Sequence, residues 1–258
     1  MLYSPAPTLA PSSIGGIEGL FYWGAVESIG EELNVDIVTP VEADELVVHA
    51  SAGTDYSILI LADGRAACGG VIVSIVDYTG HFGIATVELE VGLVELTIIT
   101  TVVNLDGDEV PAPDFIRAVA GVETSEGNGE MHSLLIDEDG NVFTFGNNDQ
   151  GQLCLGDESN RELPTQVDLS SPAIAAAIGR DFTIILTEDG EVFGCGNNVV
   201  GQLGLGPDII SVDELTIIDG IGDNVRDIAA GFEFSMFLSE DGVYVTGQNE
   251  FGMFFVRH

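Results

Sequence analysis

The sequence predicts an all-β protein: a β-propeller with four-stranded blades, partial or truncated, with about four to five blades present. Three observations predict it. A unit of roughly 50 residues recurs along the chain. Each unit holds short apolar runs bounded by glycine turns, and helical 3.6-residue periodicity is missing from all of them.

The unit opens on a strand of small residues: Ala50-Ser-Ala-Gly53, Ala118-Val-Ala-Gly121, Ala176-Ala-Ile-Gly179 and Ala229-Ala-Gly231. Small side chains suit strands crowded around a central axis. A Gly-x-x-ring-Ser/Thr segment comes next. Its copies are Gly53 with Tyr56-Ser57, Gly129 with His132-Ser133, Gly179 with Phe182-Thr183, and Gly231 with Phe234-Ser235. An apolar run then leads to Asp-Gly, at Asp63-Gly64, Asp139-Gly140, Asp189-Gly190 and Asp241-Gly242. Asp-Gly between apolar runs signals a hairpin, because glycine accepts the positive φ of the turn. A further strand closes on glycine, as in Val142-Phe-Thr-Phe-Gly146, Val192-Phe-Gly-Cys-Gly196 and Val243-Tyr-Val-Thr-Gly247, with an earlier copy at Leu20-Phe-Tyr-Trp-Gly24.

Two copies continue almost identically, offset by 50 residues: Gly146-Asn-Asn-Asp-Gln-Gly151-Gln152-Leu153-Cys-Leu-Gly156 and Gly196-Asn-Asn-Val-Val-Gly201-Gln202-Leu203-Gly-Leu-Gly206. Their glycines are expected to make turns, their leucines to pack between blades, and their asparagines to bond the loop backbone.

Residues 1–13 read as an irregular N-terminal segment and 14–258 as blades. The turn glycines are spaced by 76, 50 and 52 residues, so the first interval carries inserts near 85–110 and 121–128. In the first insert, Val87-Glu-Leu-Glu-Val91 alternates and Leu96–Val103 is apolar. This predicts an extra or lengthened strand pair ending at the turn Asp106-Gly-Asp-Glu109. The second insert reads as a polar loop. Seven blades at this period would need about 350 residues. The favoured reading is therefore a piece of a larger propeller, and a smaller or incomplete propeller is the alternative.

The Gly-Asn-Asn-x-x-Gly-Gln-Leu-x-Leu-Gly segments, with Gly-x-x-His-Ser and Asp-Gly, resemble the repeat of the regulator of chromosome condensation family. The resemblance covers about Gly15 to Gly252 and implies a seven-bladed propeller. It also implies a range of activities: exchange factors for a small nuclear GTPase, secreted propellers that inhibit β-lactamases, and modules without known activity. No exchange residues of the family map onto this chain.

Composition bounds the function. The formal charge is −37 with Lys+Arg 6, all arginine, while mean hydropathy is +0.32. Apolar residues must fill a core and carboxylates must cover the outside. Six scattered arginines cannot neutralise a run of phosphates, so neither direct nucleic-acid binding nor binding to an anionic membrane is expected. The expected partner is a protein, either basic or, as the resemblance implies, a small GTPase. Dense carboxylates without lysine also fit a saline environment. The start shows neither a positive n-region nor a long apolar stretch, and Leu93–Val103 is too short to span a bilayer, so an intracellular location is favoured. Cys68, Cys154 and Cys195 form no Cys-x-x-Cys pair and are odd in number, which predicts buried free thiols.

No catalytic, cofactor or metal residue is expected. His132 stands where other copies have Tyr56, Phe182 and Phe234, and a catalytic or ligating histidine could not be exchanged for phenylalanine. Ser57, Ser133, Thr183 and Ser235 are expected to bond backbone within their own blade. Asp137-Glu-Asp-Gly-Asn141 lacks the glutamate that closes a calcium loop. The glycine-rich segments have no lysine to hold phosphate. The structural repeat is thus Gly53, Gly64, His132, Ser133, Gly140, Gly146, Gly151, Gln152, Leu153, Gly179, Gly190, Gly196, Gly201, Gln202, Leu203, Gly231 and Gly242. Function should sit where the repeat is broken, and Asp106, Asp108, Glu109, Glu123 and Glu126 are the expected partner contacts. The leading reading is a non-enzymatic interaction module. Guanine-nucleotide exchange and a secreted binding or inhibitor propeller are the alternatives.

Overall fold

The computed structural model describes residues 20–28, 31–41, 46–54, 56–72, 80–84, 92–121 and 131–249. Among them every regular element is a β-strand. β1 (Leu20–Ser28) and β2 (Glu31–Val41) form a two-stranded antiparallel sheet. β3 (Val47–Ala52), β4 (Tyr56–Leu61), β5 (Ala66–Ile72) and β6 (Gly92–Ile98) form a four-stranded blade in chain order. A short hairpin follows, β7 (Thr101–Val103) with β8 (Glu109–Pro111).

The second blade consists of β9 (Phe115–Ala120), β10 (His132–Asp137), β11 (Val142–Gly146) and β12 (Arg161–Gln166). β7 pairs in parallel with β12 at Val103 and Thr165, which widens this sheet to the order β8-β7-β12-β11-β10-β9. The third blade is β13 (Ala173–Ile178), β14 (Phe182–Thr187), β15 (Val192–Asn197) and β16 (Ser211–Ile217). Three strands of a fourth follow: β17 (Asp227–Ala230), β18 (Phe234–Ser239) and β19 (Gly242–Gly247). We call these blades A to D. The small-residue strands β3, β9, β13 and β17 are the innermost of their blades, and each packs against the next.

The insert differs from its sequence expectation. Within the expected extra or lengthened strand pair, the apolar run Leu96–Val103 is not continuous. It breaks at Ile99-Thr100, so that its first part closes blade A as β6 and its second joins blade B as β7. Ile99 is buried in the core between these blades. Val87–Val91 lies outside the described residues.

The cores lie between consecutive blades. Strand alternation sends neighbouring residues to opposite faces. On β10, Leu135 packs with Ile58, Phe82 and Phe143 on the blade A side, while Leu134 and Ile136 pack with Ile185 on the blade C side. On β14, Ile184 and Leu186 turn the other way, toward Ile228 and Phe237 of blade D. β10 and β14 are buried along their whole length, which is why both read as unbroken apolar runs rather than alternating ones.

Candidate functional site

The repeat motif is a device for joining blades. In Gly-x-x-ring, the ring lies over the glycine: a Cβ at Gly53, Gly179 or Gly231 would strike Tyr56, Phe182 or Phe234. The same glycines donate N–H to the carbonyl of the ring residue at 2.9, 2.9 and 2.8 Å. In blade B that bond comes from Gly121 to His132, at 3.1 Å. Gly121 therefore does the work that the sequence reading gave to Gly129, which lies outside the described residues, and the second insert sits between Gly121 and the ring.

The hydroxyls correct a second expectation. Ser133, Thr183 and Ser235 bond backbone, but across blades and not within one. Ser133 Oγ donates to the His81 carbonyl (2.9 Å), Thr183 Oγ1 to Gln152 (2.8 Å) and Ser235 Oγ to Gln202 (2.7 Å), each in the preceding blade. The ring residue extends this bond where it carries a donor. Tyr56 O–H lies 2.7 Å from Ser133 Oγ and accepts from Gly121 N–H at 2.9 Å. His132 Nε2 lies 2.9 Å from Thr183 Oγ1. Ser133 and Thr183 each give their one proton to a carbonyl, so the ring residue is the donor in each pair, with the Tyr56 proton shared between Ser133 Oγ and the His132 carbonyl at 3.2 Å. Two junctions thus carry the same three-member relay. At the third the ring is Phe182, which has no donor to give, and Ser235 makes its bond alone.

His132 is buried, at 1% exposure. Burial pushes its pKa down to about 3, against a backbone contact with Phe182 that raises it, so the ring is neutral at pH 7. Its partner is a hydroxyl of the next blade, not a metal or a nucleophile. His81 is likewise buried, and burial lowers its pKa to about 3.

Gln152 and His81 occupy equivalent places, which exposes a copy of the loop that the sequence reading missed. Gly80-His-Phe-Gly-Ile84 is the blade A form of Gly-Gln-Leu-x-Leu. Gly80, Gly151 and Gly201 share φ of 94°, 78° and 79°, and positions 83, 154 and 204 share φ of 66°, 60° and 69°. The Gly-x-x-Gly spacing was the available signal, but every other residue differs.

In the two long loops the polar side chains are spent on the loop itself. Asn148 Oδ1 accepts from Leu153 N–H (2.8 Å) while its Nδ2 donates to the Asp157 carbonyl (2.7 Å). Asn198 repeats this with Leu203 (2.9 Å) and Ile209 (2.7 Å). Gln152 and Gln202 donate Nε2–H to Asn147 and Asn197 Oδ1. Leu153 and Leu203 are fully buried.

The cysteine expectation is overturned in part. Cys68 is a buried free thiol, but Cys154 and Cys195 form a disulfide between the blade B loop and β15 of blade C. Position 154 is left-handed and belongs to glycine in the neighbouring copies, Gly83 and Gly204. The same inter-blade contact is Gly83 against Phe145 at one junction and Gly204 against Thr246 at another. An odd cysteine count hid a pair 41 residues apart.

Of the expected partner contacts, Asp106, Asp108 and Glu109 are exposed on the β7–β8 hairpin. Asn104 Oδ1 holds its turn by accepting from the N–H of Asp106 (3.1 Å) and Asp108 (2.9 Å). Glu123 and Glu126 lie outside the described residues. Asp137 is consumed by its turn, accepting from Asn141 N–H and Nδ2–H, each at 2.8 Å. Among the described residues no three His, Cys, Asp or Glu side chains gather to hold a metal, and no helix is long and apolar enough to cross a membrane.

Radial four-stranded blades, joined hydroxyl to carbonyl and locked by Asn/Gln loops, define a repeat-built β-propeller. The regulator of chromosome condensation (RCC1) repeat matches residues 139–186 and 189–238, and a second form of it matches 173–202 and 225–252. The part of the chain from 139 to 252 therefore carries RCC1 repeats. In fold it resembles human WBSCR16 (TM-score 0.64, 23% identity, covering 83% of this chain and 51% of that one). It also resembles the structure of Kap60 bound to yeast RCC1 (Prp20), with TM-score 0.67, 16% identity and coverage of 89% and 52%. Prp20p from Saccharomyces cerevisiae, a structure presented with its binding properties to Gsp1p and histones, matches at TM-score 0.64 and 17% identity, over 90% and 52%. The chain spans about half the length of these proteins.

Proposed function

We propose that this chain is a non-enzymatic interaction module, in which a rigid propeller presents acidic loops to a protein partner. One observation carries the reading. The repeat's side chains are used up in joining blades and locking loops, whereas Asp106, Asp108 and Glu109 stand exposed on a hairpin that blade C lacks. Loops on a rigid scaffold are where binding chemistry concentrates. Glu123 and Glu126 belong to the same acidic proposal by sequence. Histones are named with Prp20p, and a basic protein is the partner that a charge of −37 would attract. The test is to measure binding of purified core histones to wild type and to the triple variant Asp106→Asn, Asp108→Asn, Glu109→Gln. Affinity should fall at least threefold with Tm unchanged, and equal affinity would remove the hairpin as a contact.

Exchange on a small GTPase is the reading that the family's best-known members support. A nucleotide-release assay across a panel of GTPases tests it, and no acceleration at micromolar protein would sink it. The Cys154–Cys195 bond favours the third reading, a secreted binding propeller, because disulfides persist in oxidising compartments. Protein from its natural source in which both thiols react with an alkylating agent would count against that reading.

A further inference from the structure

The blade C loop breaks the surface pattern of this protein. Val199 and Ile210 are 66% and 65% exposed, and Val200 and Ile209 are each 38% exposed. The two dipeptides lie side by side, because Asn198 donates its backbone N–H to the Ile210 carbonyl (2.7 Å) and Nδ2–H to Ile209 (2.7 Å). Four exposed aliphatic side chains on one tied loop cost solubility and need a reason.

The repeat supplies its own control. A shift of 50 residues places Asp149, Gln150, Ser159 and Asn160 of blade B at these four positions. All four are exposed there, although blade B is flanked by complete blades on both sides. The positions therefore face solvent in a fully packed blade, and ring packing does not call for aliphatic residues at them. Nor does the loop's own geometry, since blade B builds an Asn-locked loop with polar residues, its Asn160 Oδ1 accepting the Asn148 N–H where the Ile210 carbonyl accepts that of Asn198.

We propose that Val199, Val200, Ile209 and Ile210 form a docking patch for a basic polypeptide segment bearing aliphatic side chains. Charge complementarity sets the partner's chemistry. Asp208 adjoins Ile209, Asp213 and Glu214 follow Ile210, and no basic residue lies between Arg180 and Arg226. An apolar centre with a carboxylate rim matches aliphatic residues interleaved with lysine or arginine. This deepens the interaction-module reading and rests on it.

The test uses short labelled peptides of mixed lysine and leucine, of lysine and serine, and of glutamate and leucine. Binding is read by fluorescence anisotropy at physiological ionic strength. The key variant installs the blade B residues: Val199→Asp, Val200→Gln, Ile209→Ser and Ile210→Asn. The single variant Ile210→Ala guards against misfolding, with Tm checked for both. The lysine–leucine peptide should bind wild type about tenfold more tightly than it binds the fourfold variant, with Ile210→Ala between them, and the other two peptides should bind weakly. Equal binding of the lysine–leucine and lysine–serine peptides, unchanged by either variant, overturns the patch but leaves a charge-driven interaction module standing. If no basic peptide or histone binds at all, the module reading falls with it. Patch-dependent dimerisation in sedimentation, or patch-dependent binding to phosphatidylcholine vesicles, would overturn the proposal in favour of a second copy or a lipid surface.

Discussion

At the scale of single residues, each junction hydroxyl sits between a carbonyl it must satisfy and, at two junctions, a ring donor that depends on it. Thr183→Val keeps the shape but strands both His132 Nε2–H and the Gln152 carbonyl in a buried site. An unmade buried bond costs about 1–3 kcal/mol. Urea unfolding should show that loss, and a smaller one for Thr183→Ser. The buried histidines set a pH dependence. Both have folded pKa values lowered to about 3 from 6.5, so below pH 6.5 the unfolded chain takes up protons that the folded chain does not. Their contribution is complete above pH 6.5 and is lost as pH falls toward 3, at up to about 1.4 kcal/mol per pH unit for each. Unfolding free energies measured between pH 7 and 5.5 should fall accordingly, with His49, whose pKa burial and Arg117 also lower, adding to the slope, and removing one histidine, as in His132→Phe, should make the slope shallower.

At the scale of elements, the disulfide is the clearest departure from the repeat. Closing a 41-residue loop stabilises by about 4 kcal/mol in the chain-entropy estimate. Dithiothreitol should lower wild-type stability by up to that amount and leave Cys154→Gly unaffected, because glycine at 154 restores the residue found at 83 and 204. Much of each blade was legible in sequence, since turn glycines and apolar runs are local signals. Asp63, Asp139 and Asp189 keep negative φ while the glycine after each turns left-handed, so Asp-Gly marked the right turns through a type I turn with a bulge. What lies between blades was not legible. A sequence period shows which position recurs, but not that Thr183 reaches back to Gln152 or that Cys154 meets Cys195. The break at Ile99-Thr100 carries no glycine or proline, so nothing in the run marked that its two halves serve two sheets. The blade A loop stayed hidden because His81, Phe82 and Ile84 replace the residues that mark it elsewhere.

At the scale of the whole molecule, charge and fold are separate matters, as the composition implied. Buried clusters between blades hold the fold, and the carboxylates cover its surface with few cations to offset them. Described arginines such as Arg65, Arg161 and Arg226 are tied to neighbouring carboxylates. The remaining self-repulsion should be screened by salt, whose Debye length falls from about 8 Å at 0.15 M to about 3 Å at 1 M. Tm should therefore climb by several degrees across that range of NaCl, and a flat response would mean that repulsion contributes little to stability.

The parallel pairing of β7 with β12 has a mechanical consequence. Chain that leaves blade A returns to the outer edge of blade B before entering it at β9, so the two blades cannot be pulled apart without first tearing that edge. The Cys154–Cys195 bond ties blade C to blade B covalently, whereas blade D is held by non-covalent contacts, among them the Arg180–Glu233 ion pair. Drawn out from beyond β19 in an optical trap, the chain should yield blade D as an early, separate step. The next step should then stall at Cys195, and adding reductant should lengthen the extension released there by the slack of the loop between the two cysteines.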